Sequence, residues 1–151
     1  MVVNATSPPR PAVGERVPAV DARSSSGARV VLPVPGVANA LLFLASRCPK
    51  CRDTLPEVAR LLPLAARDGL RISLVTVESR RRLVGFLDGA LALAWARTEL
   101  RGYRLLNPSL STPHYLFVDD AGVLVARGDI GDEGWLRLRE QLGDTAAVRT
   151  P

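Results

Sequence analysis

Cys48 and Cys51 are the only two cysteines in the chain, and they enclose Pro49 and Lys50. Two cysteines three positions apart cannot staple a fold by closing a long loop, so redox or metal chemistry is the expected use. A dithiol exchanger needs one thiol ionised near neutral pH and a second near enough to attack the mixed disulfide that results. The C-x-x-C spacing supplies both where it opens a helix. Unpaired backbone N–H groups and the helix dipole then face the first sulfur and favour its thiolate. Cys48 is thus the expected nucleophile and Cys51, one turn inward, the buried resolving thiol. Pro49 suits the first helical turn, where its missing N–H would have had no partner. Arg47, Lys50 and Arg52 place positive charge around the pair and are expected to lower the Cys48 pKa further. His114 is the sole histidine, and with two cysteines it makes an incomplete set for structural zinc, which takes four ligands. No metal and no cofactor is expected.

The elements that position this motif follow from the hydrophobic pattern. Residues 40–45, Ala-Leu-Leu-Phe-Leu-Ala, form a short continuous apolar run, the pattern of a strand buried on both faces of a parallel sheet. A helix is predicted over Pro49–Arg67, with Leu55, Val58, Ala59, Leu62 and Ala66 on its apolar face, a kink at Pro56 and Gly69 as its stop. A strand over 70–77 follows. Ser79 then caps a helix whose apolar face is Leu83, Phe86, Leu87, Ala90, Leu91 and Ala94. Upstream, residues 17–20 and 30–32 flank the turn-rich 24–27 and suggest a hairpin. Residues 95–111 lose clear periodicity and read as a loop with a short helix. Strands at 115–118 and 123–127 join through Asp119-Asp120-Ala121-Gly122, and Asp132 caps a last helix carrying Trp135, Leu138 and Leu142 before Gly143.

The bulk properties bound the function. At 151 residues, 47% hydrophobic and 23% charged, the chain has the size and balance of one globular domain. Residues 1–13 read as a flexible arm, 14–143 as the domain and 144–151 as a flexible tail. The charge of +5 comes almost wholly from arginine, with Lys50 the single lysine, which is a compositional bias. The run Arg80-Arg81-Arg82 has no aromatic platform beside it for stacking bases, so no nucleic-acid partner is expected. Acidic protein partners remain compatible with the basic charge. No stretch reaches the roughly 20 apolar residues of a membrane span, and the first forty residues lack a secretory layout. The expectation is a cytoplasmic monomer as written, or an extracytoplasmic, membrane-anchored protein if the chain is cut from a longer one.

Thr112-Pro113, just before the third major strand, is the second landmark. The strand, the C-P-K-C helix start with Pro56 five residues after Cys51, and Thr-Pro opening a terminal hairpin and helix together resemble the thioredoxin superfamily. The resemblance implies an α/β, three-layer fold: a mixed central sheet, flanking helices and an N-terminal β-hairpin. It also implies that Pro113 is cis and that Thr112 offers its backbone to an extended substrate segment. The nearer likeness is to redoxins of the TlpA and ResA type, and among them to the methylamine-utilisation protein MauD. Gly14, Pro18, Asp21, Gly27 and Leu32 resemble that group's opening hairpin. The chain departs from the group in having Arg47 in place of an aromatic and Thr54 in place of a glutamate. A proton acceptor for Cys51 is therefore missing there. Asp53 or Glu57 could substitute, against the plainer reading that both lie on a solvated helix face. His114, beside Pro113, is either an edge-strand residue without chemistry or a group that tunes Cys48.

Three functions compete on these grounds. The first is a thiol-disulfide oxidoreductase acting on protein clients and recycled by an electron-donating or electron-accepting partner. The second is a non-catalytic thioredoxin-like binding or chaperone module in which a Cys48–Cys51 bridge braces the helix start. The third, a peroxidase, is disfavoured, because Pro-x-x-x-Thr-x-x-Cys would need proline and threonine where this chain has Leu41 and Ala45. The basic surroundings of Cys48 favour the first.

Overall fold

The apolar run before the cysteines becomes the centre of the molecule. The computed structural model describes residues 11–144. Residues 1–10 of the expected arm and 145–151 of the expected tail lie outside the described residues. The strands are β1 (Val20–Ser24), β2 (Arg29–Leu32), β3 (Ala38–Phe43), β4 (Leu70–Thr76), β5 (Trp95–Arg97), β6 (His114–Val118) and β7 (Leu124–Asp129). They form one sheet in the order β2-β1-β5-β4-β3-β6-β7. β3 pairs parallel with β4 and antiparallel with β6, and β4 pairs parallel with β5. The helices are α1 (Pro49–Arg67), α2 (Arg80–Val84), α3 (Leu100–Leu106) and α4 (Glu133–Leu142).

Alternation along β3 divides the core in two. Ala40 and Leu42 pack with Val58, Leu61 and Ala65 of α1 and Trp135 and Leu142 of α4. Leu41 and Phe43 face the other way, toward Tyr103 and Leu106 of α3. A period of two with both faces apolar is what burial between two helical layers requires. The fold is α/β with a mixed central sheet, helices on both faces and an N-terminal hairpin.

Several elements depart from the sequence reading. The first strand starts at Val20, and Val17 instead meets the turn before β7, its N–H on the Gly122 carbonyl at 2.9 Å. Helix α1 has the predicted bounds and continues past Pro56 and Pro63, both exposed, so the carbonyls their missing N–H groups leave free can face water. Its inner stripe holds Leu61 and Ala65 where Leu62 and Ala66 were expected. Leu61-Leu62 and Ala65-Ala66 are doublets of one residue type, so hydrophobicity alone cannot choose between the two rows. The long helix expected after Ser79 is broken. Ser79 caps α2 as predicted, but α2 ends at Gly85, and residues Gly89–Leu93 form a separate 3-10 turn. Gly89 has φ +55, outside the right-handed helical range, which interrupts the helix. Leu83, Phe86, Leu87 and Leu91 are buried regardless. The span 95–111 holds β5, a three-residue strand, as well as the short helix α3.

A buried polar network ties α1 to α4. The Glu57 carboxylate accepts the Trp135 indole N–H at 2.8 Å and pairs with Arg139 at 2.6 Å. Arg139 also faces Asp144 at 3.6 Å, and Asp144 meets Arg60 at 3.4 Å. Asp144, the first residue of the expected tail, is thus packed against the domain. The structure corrects the solvated-face reading of Glu57: its carboxylate is a clamp between helices. Asp53 is exposed on α1, as that reading has it.

Candidate active site

β3 delivers the chain to the carboxyl edge of the sheet, and Leu44 to Arg47 turn it into α1. Cys48 is the N-cap residue of α1, with Pro49 in the first turn. Its Sγ accepts the Cys51 backbone N–H at 3.2 Å, and its carbonyl accepts the N–H groups of Cys51 and Arg52 at 3.0 and 3.2 Å. A sulfur has taken the place that a serine or aspartate oxygen usually fills at a helix start. Cys48 is half-buried, Cys51 is fully buried, and both are free thiols.

The two sulfurs differ in acidity. Partial burial by itself pushes the Cys48 thiol up, but hydrogen bonds from Cys51, the Thr112 side chain and the Lys50 backbone outweigh it, and the thiol lies below its ordinary value. Cys51 is raised from 9.0 to about 11, first by burial and then by its hydrogen bond with Cys48 and the nearby Cys48 charge. The Ala45 N–H, 3.4 Å from the Cys51 sulfur, works in the opposite direction. Basic side chains are not what lowers Cys48. Arg47 and Lys50 are exposed, and the Arg52 guanidinium lies over the Phe86 ring at 5.4 Å. Long, solvated side chains are screened, whereas backbone N–H groups are fixed in place.

β6 pairs with β3 so that Phe43 lies opposite His114, which brings the residues before His114 to the same edge of the sheet. The Thr112–Pro113 peptide is cis, and the Thr112 side chain hydrogen-bonds toward both cysteines. A second cis bond, Leu32–Pro33, was not anticipated. The Pro113 carbonyl accepts the Ile130 N–H at 3.2 Å, and buried Asn107 holds Ser111 through its side-chain amide at 2.8 and 3.3 Å. Sequence reasoning passed over Asn107, whose only signal was a polar side chain next to Pro108 at a helix end. It also passed over Glu78, which binds Ser46 next to Arg47.

His114 corrects one expectation. Its strand is interior, between β3 and β7, and the ring is buried between Phe43 and Tyr115 with Nδ1 4.0 Å from Asp129. Across β3, in the other half of the core, Tyr103 stands edge-on to Phe43 at 5.4 Å, its hydroxyl raised to about 12, chiefly by burial.

No family model and no curated protein matches this chain. Solved structures do. A thiol:disulfide interchange protein from Bacteroides sp. superposes with a TM-score of 0.73 over 92% of this chain and 95% of its own, at 18% identity. The fold is thioredoxin-like. The thioredoxin domain of a thiol-disulfide oxidoreductase from Bacteroides vulgatus gives 0.66 at 20% identity, covering 87% of this chain and 99% of that one. A peroxiredoxin-like protein from Aquifex aeolicus also gives 0.66, at 12% identity, covering 89% and 87%. The same thioredoxin-like frame thus occurs in proteins named for different reactions, and the chemistry has to be argued from the site. Among the described residues, no helix is long and apolar enough to cross a membrane.

Proposed function

We propose that this protein is a thiol-disulfide oxidoreductase that exchanges disulfides with protein clients through Cys48 and Cys51. The observation that carries the reading is the split between the two sulfurs: Cys48, half-buried at a helix N-cap, lies below its ordinary pKa while buried Cys51 is raised to about 11. A pair that only braced a helix start would need no such split, which favours exchange over a structural bridge.

In the reducing direction the Cys48 thiolate attacks one sulfur of a client disulfide. A Cys48–client disulfide forms, and the other client sulfur leaves as a thiolate that takes up a proton. Cys51 then gives up its proton and attacks the Cys48 sulfur. The intramolecular disulfide closes, the second client thiol is released, and the two electrons have passed to the client. The oxidising direction is the reverse, and the relative potential of the recycling partner sets which one runs. Thr112 and Pro113 line the approach to Cys48, with the Thr112 backbone offered to an extended client segment. The likeness to TlpA, ResA and MauD redoxins belongs to this proposal, as do a monomeric state and extracytoplasmic attachment if an anchor precedes the chain.

The test is selective alkylation of the reduced protein followed by trapping. Cys48 should react quickly at neutral pH and Cys51 slowly, and Cys51→Ser should accumulate a mixed disulfide with a disulfide-containing peptide where Cys48→Ser does not. Equal alkylation rates, or equal trapping by the two variants, would sink the proposal in favour of a structural pair.

A further inference from the structure

The segment between β3 and Cys48 is held by a group outside both the motif and the Thr-Pro turn. Glu78, two residues past the end of β4, accepts the Ser46 backbone N–H at 2.9 Å through Oε2 and the Ser46 hydroxyl through Oε1. Its own backbone N–H donates to Thr76 Oγ1 at 2.9 Å, and Thr76 is buried, so the clamp is anchored in the sheet. The Ser46 N–H belongs to the same peptide unit as the Ala45 carbonyl, which accepts the Cys48 N–H at 3.1 Å. In a trans peptide these two groups point in opposite directions from one rigid plane. Fixing the N–H on Glu78 therefore aims the carbonyl at Cys48. The preceding N–H, that of Ala45, is the one that meets the Cys51 sulfur. The charge-assisted bond to a carboxylate is the stronger kind, and it polarises the carbonyl at the other end of the plane.

We infer that Glu78 is a positioning residue for the dithiol, which orients the Ala45–Ser46 peptide and so holds Cys48 in its N-cap geometry. This inference rests on the thiol-exchange reading above. Two effects of Glu78 on Cys48 have opposite signs, and that makes them separable. Its negative charge disfavours a nearby thiolate, whereas its clamp preserves the aligned N–H groups that favour one.

The experiment titrates Cys48 by its alkylation rate against pH in the reduced full-length protein. Glu78→Gln removes the charge but keeps an acceptor for the Ser46 N–H, so the Cys48 midpoint should stay or fall. Glu78→Ala removes both, and the midpoint should rise by about one pH unit, with a loss of up to about tenfold in alkylation rate at neutral pH. Glu78→Asp, which keeps the charge but falls one methylene short of Ser46, should move in the same direction as the alanine variant, and it carries the test if alanine does not fold. A shared shift in Gln and Ala, or an aspartate variant identical to the wild type, overturns the positioning role. If wild-type Cys48 itself fails to ionise below Cys51, the exchange reading fails instead.

Discussion

Removing the Glu57 carboxylate should cost stability and leave the thiol chemistry alone. In Glu57→Ala, Arg139, whose side chain is 9% exposed, keeps only Asp144 at 3.6 Å, and the Trp135 indole N–H, 2.8 Å from Glu57 in the native protein, loses its acceptor. Breaking one partner out of a buried ion pair costs ~3–5 kcal/mol, and an unsatisfied buried donor adds ~1–3. Glu57 is 19% exposed and Asp144 remains as a second counter-charge, so the total does not exceed the sum of the smaller figures and is about 2–4 kcal/mol. At ~2–4 °C per kcal/mol for a chain of this size, the thermal midpoint should fall by roughly 4–16 °C. Urea unfolding of the reduced protein measures this directly, with the slope m unchanged if the denatured state is unaffected. Glu57→Gln still accepts from Trp135 but leaves Arg139 short of charge, and should lose about half as much. Replacing Glu57 and Arg139 together by methionine removes the stranded charge and should recover most of the loss. A cost below about 0.5 kcal/mol for Glu57→Ala, or a double variant worse than the single one, would refute the clamp. The alkylation midpoint of Cys48 should not move in Glu57→Gln; a shift would restore Glu57 as a participant in the proton chemistry.

Other consequences can be checked with the same assays. Thr112→Val removes a hydrogen bond that lowers Cys48, so its alkylation midpoint should rise while the fold persists. Cys51, raised from 9.0 to about 11, favours the folded state only while it is protonated. Its contribution is complete below about pH 9 and is lost as the pH climbs through 11, about 2–3 kcal/mol in all, and the stability difference between wild type and Cys51→Ala should shrink across that window. Gly134→Ala puts a Cβ into the Tyr115 hydroxyl, which donates to Asp132 at 2.8 Å, and should destabilise by ~1–3 kcal/mol in urea. Tyr115→Phe, which loses the bond without the clash, should cost only ~1 kcal/mol.

How much of this was legible in the sequence depends on the range of the interaction concerned. The bounds of α1, the Cys48 cap and the Gly143 stop, with φ +86, are local signals and were read correctly. The expectation of one long helix after Ser79 failed because Leu83 to Leu91 keep helical spacing while Asp88, in extended backbone, and Gly89 interrupt it, and spacing outweighed the glycine in the reading. β5 is too short, at three residues, to show a period. The two cysteines and Thr112-Pro113 were recognisable by type. The source of the Cys48 acidity was not, because it lies in backbone N–H groups and Thr112, while the basic side chains near it in sequence are exposed or turned to Phe86. Glu78 carried no local signal either, and Asn107 carried only that of a polar residue before Pro108. Glu78 acts on a loop that only the fold brings to it, 32 positions away at Ser46, whereas Asn107 acts within its own turn, on Ser111.

The pairing of Phe43 with His114 has a bearing on how the protein is made. Those partners lie roughly seventy residues apart, and closing so long a loop comes late relative to local helix formation. A nascent chain can present Cys48 and Cys51 on a partly formed α1 before β6 has emerged to deliver Thr112. During that interval Cys51 lacks the burial that raises it and Cys48 lacks the Thr112 bond, so the gap between the two sulfurs is narrower and both lie open to whatever oxidant the compartment holds. The full split in acidity between Cys48 and Cys51 is thus reached only in the finished domain, so premature oxidation and enzymatic exchange act on chemically different states of the same two residues.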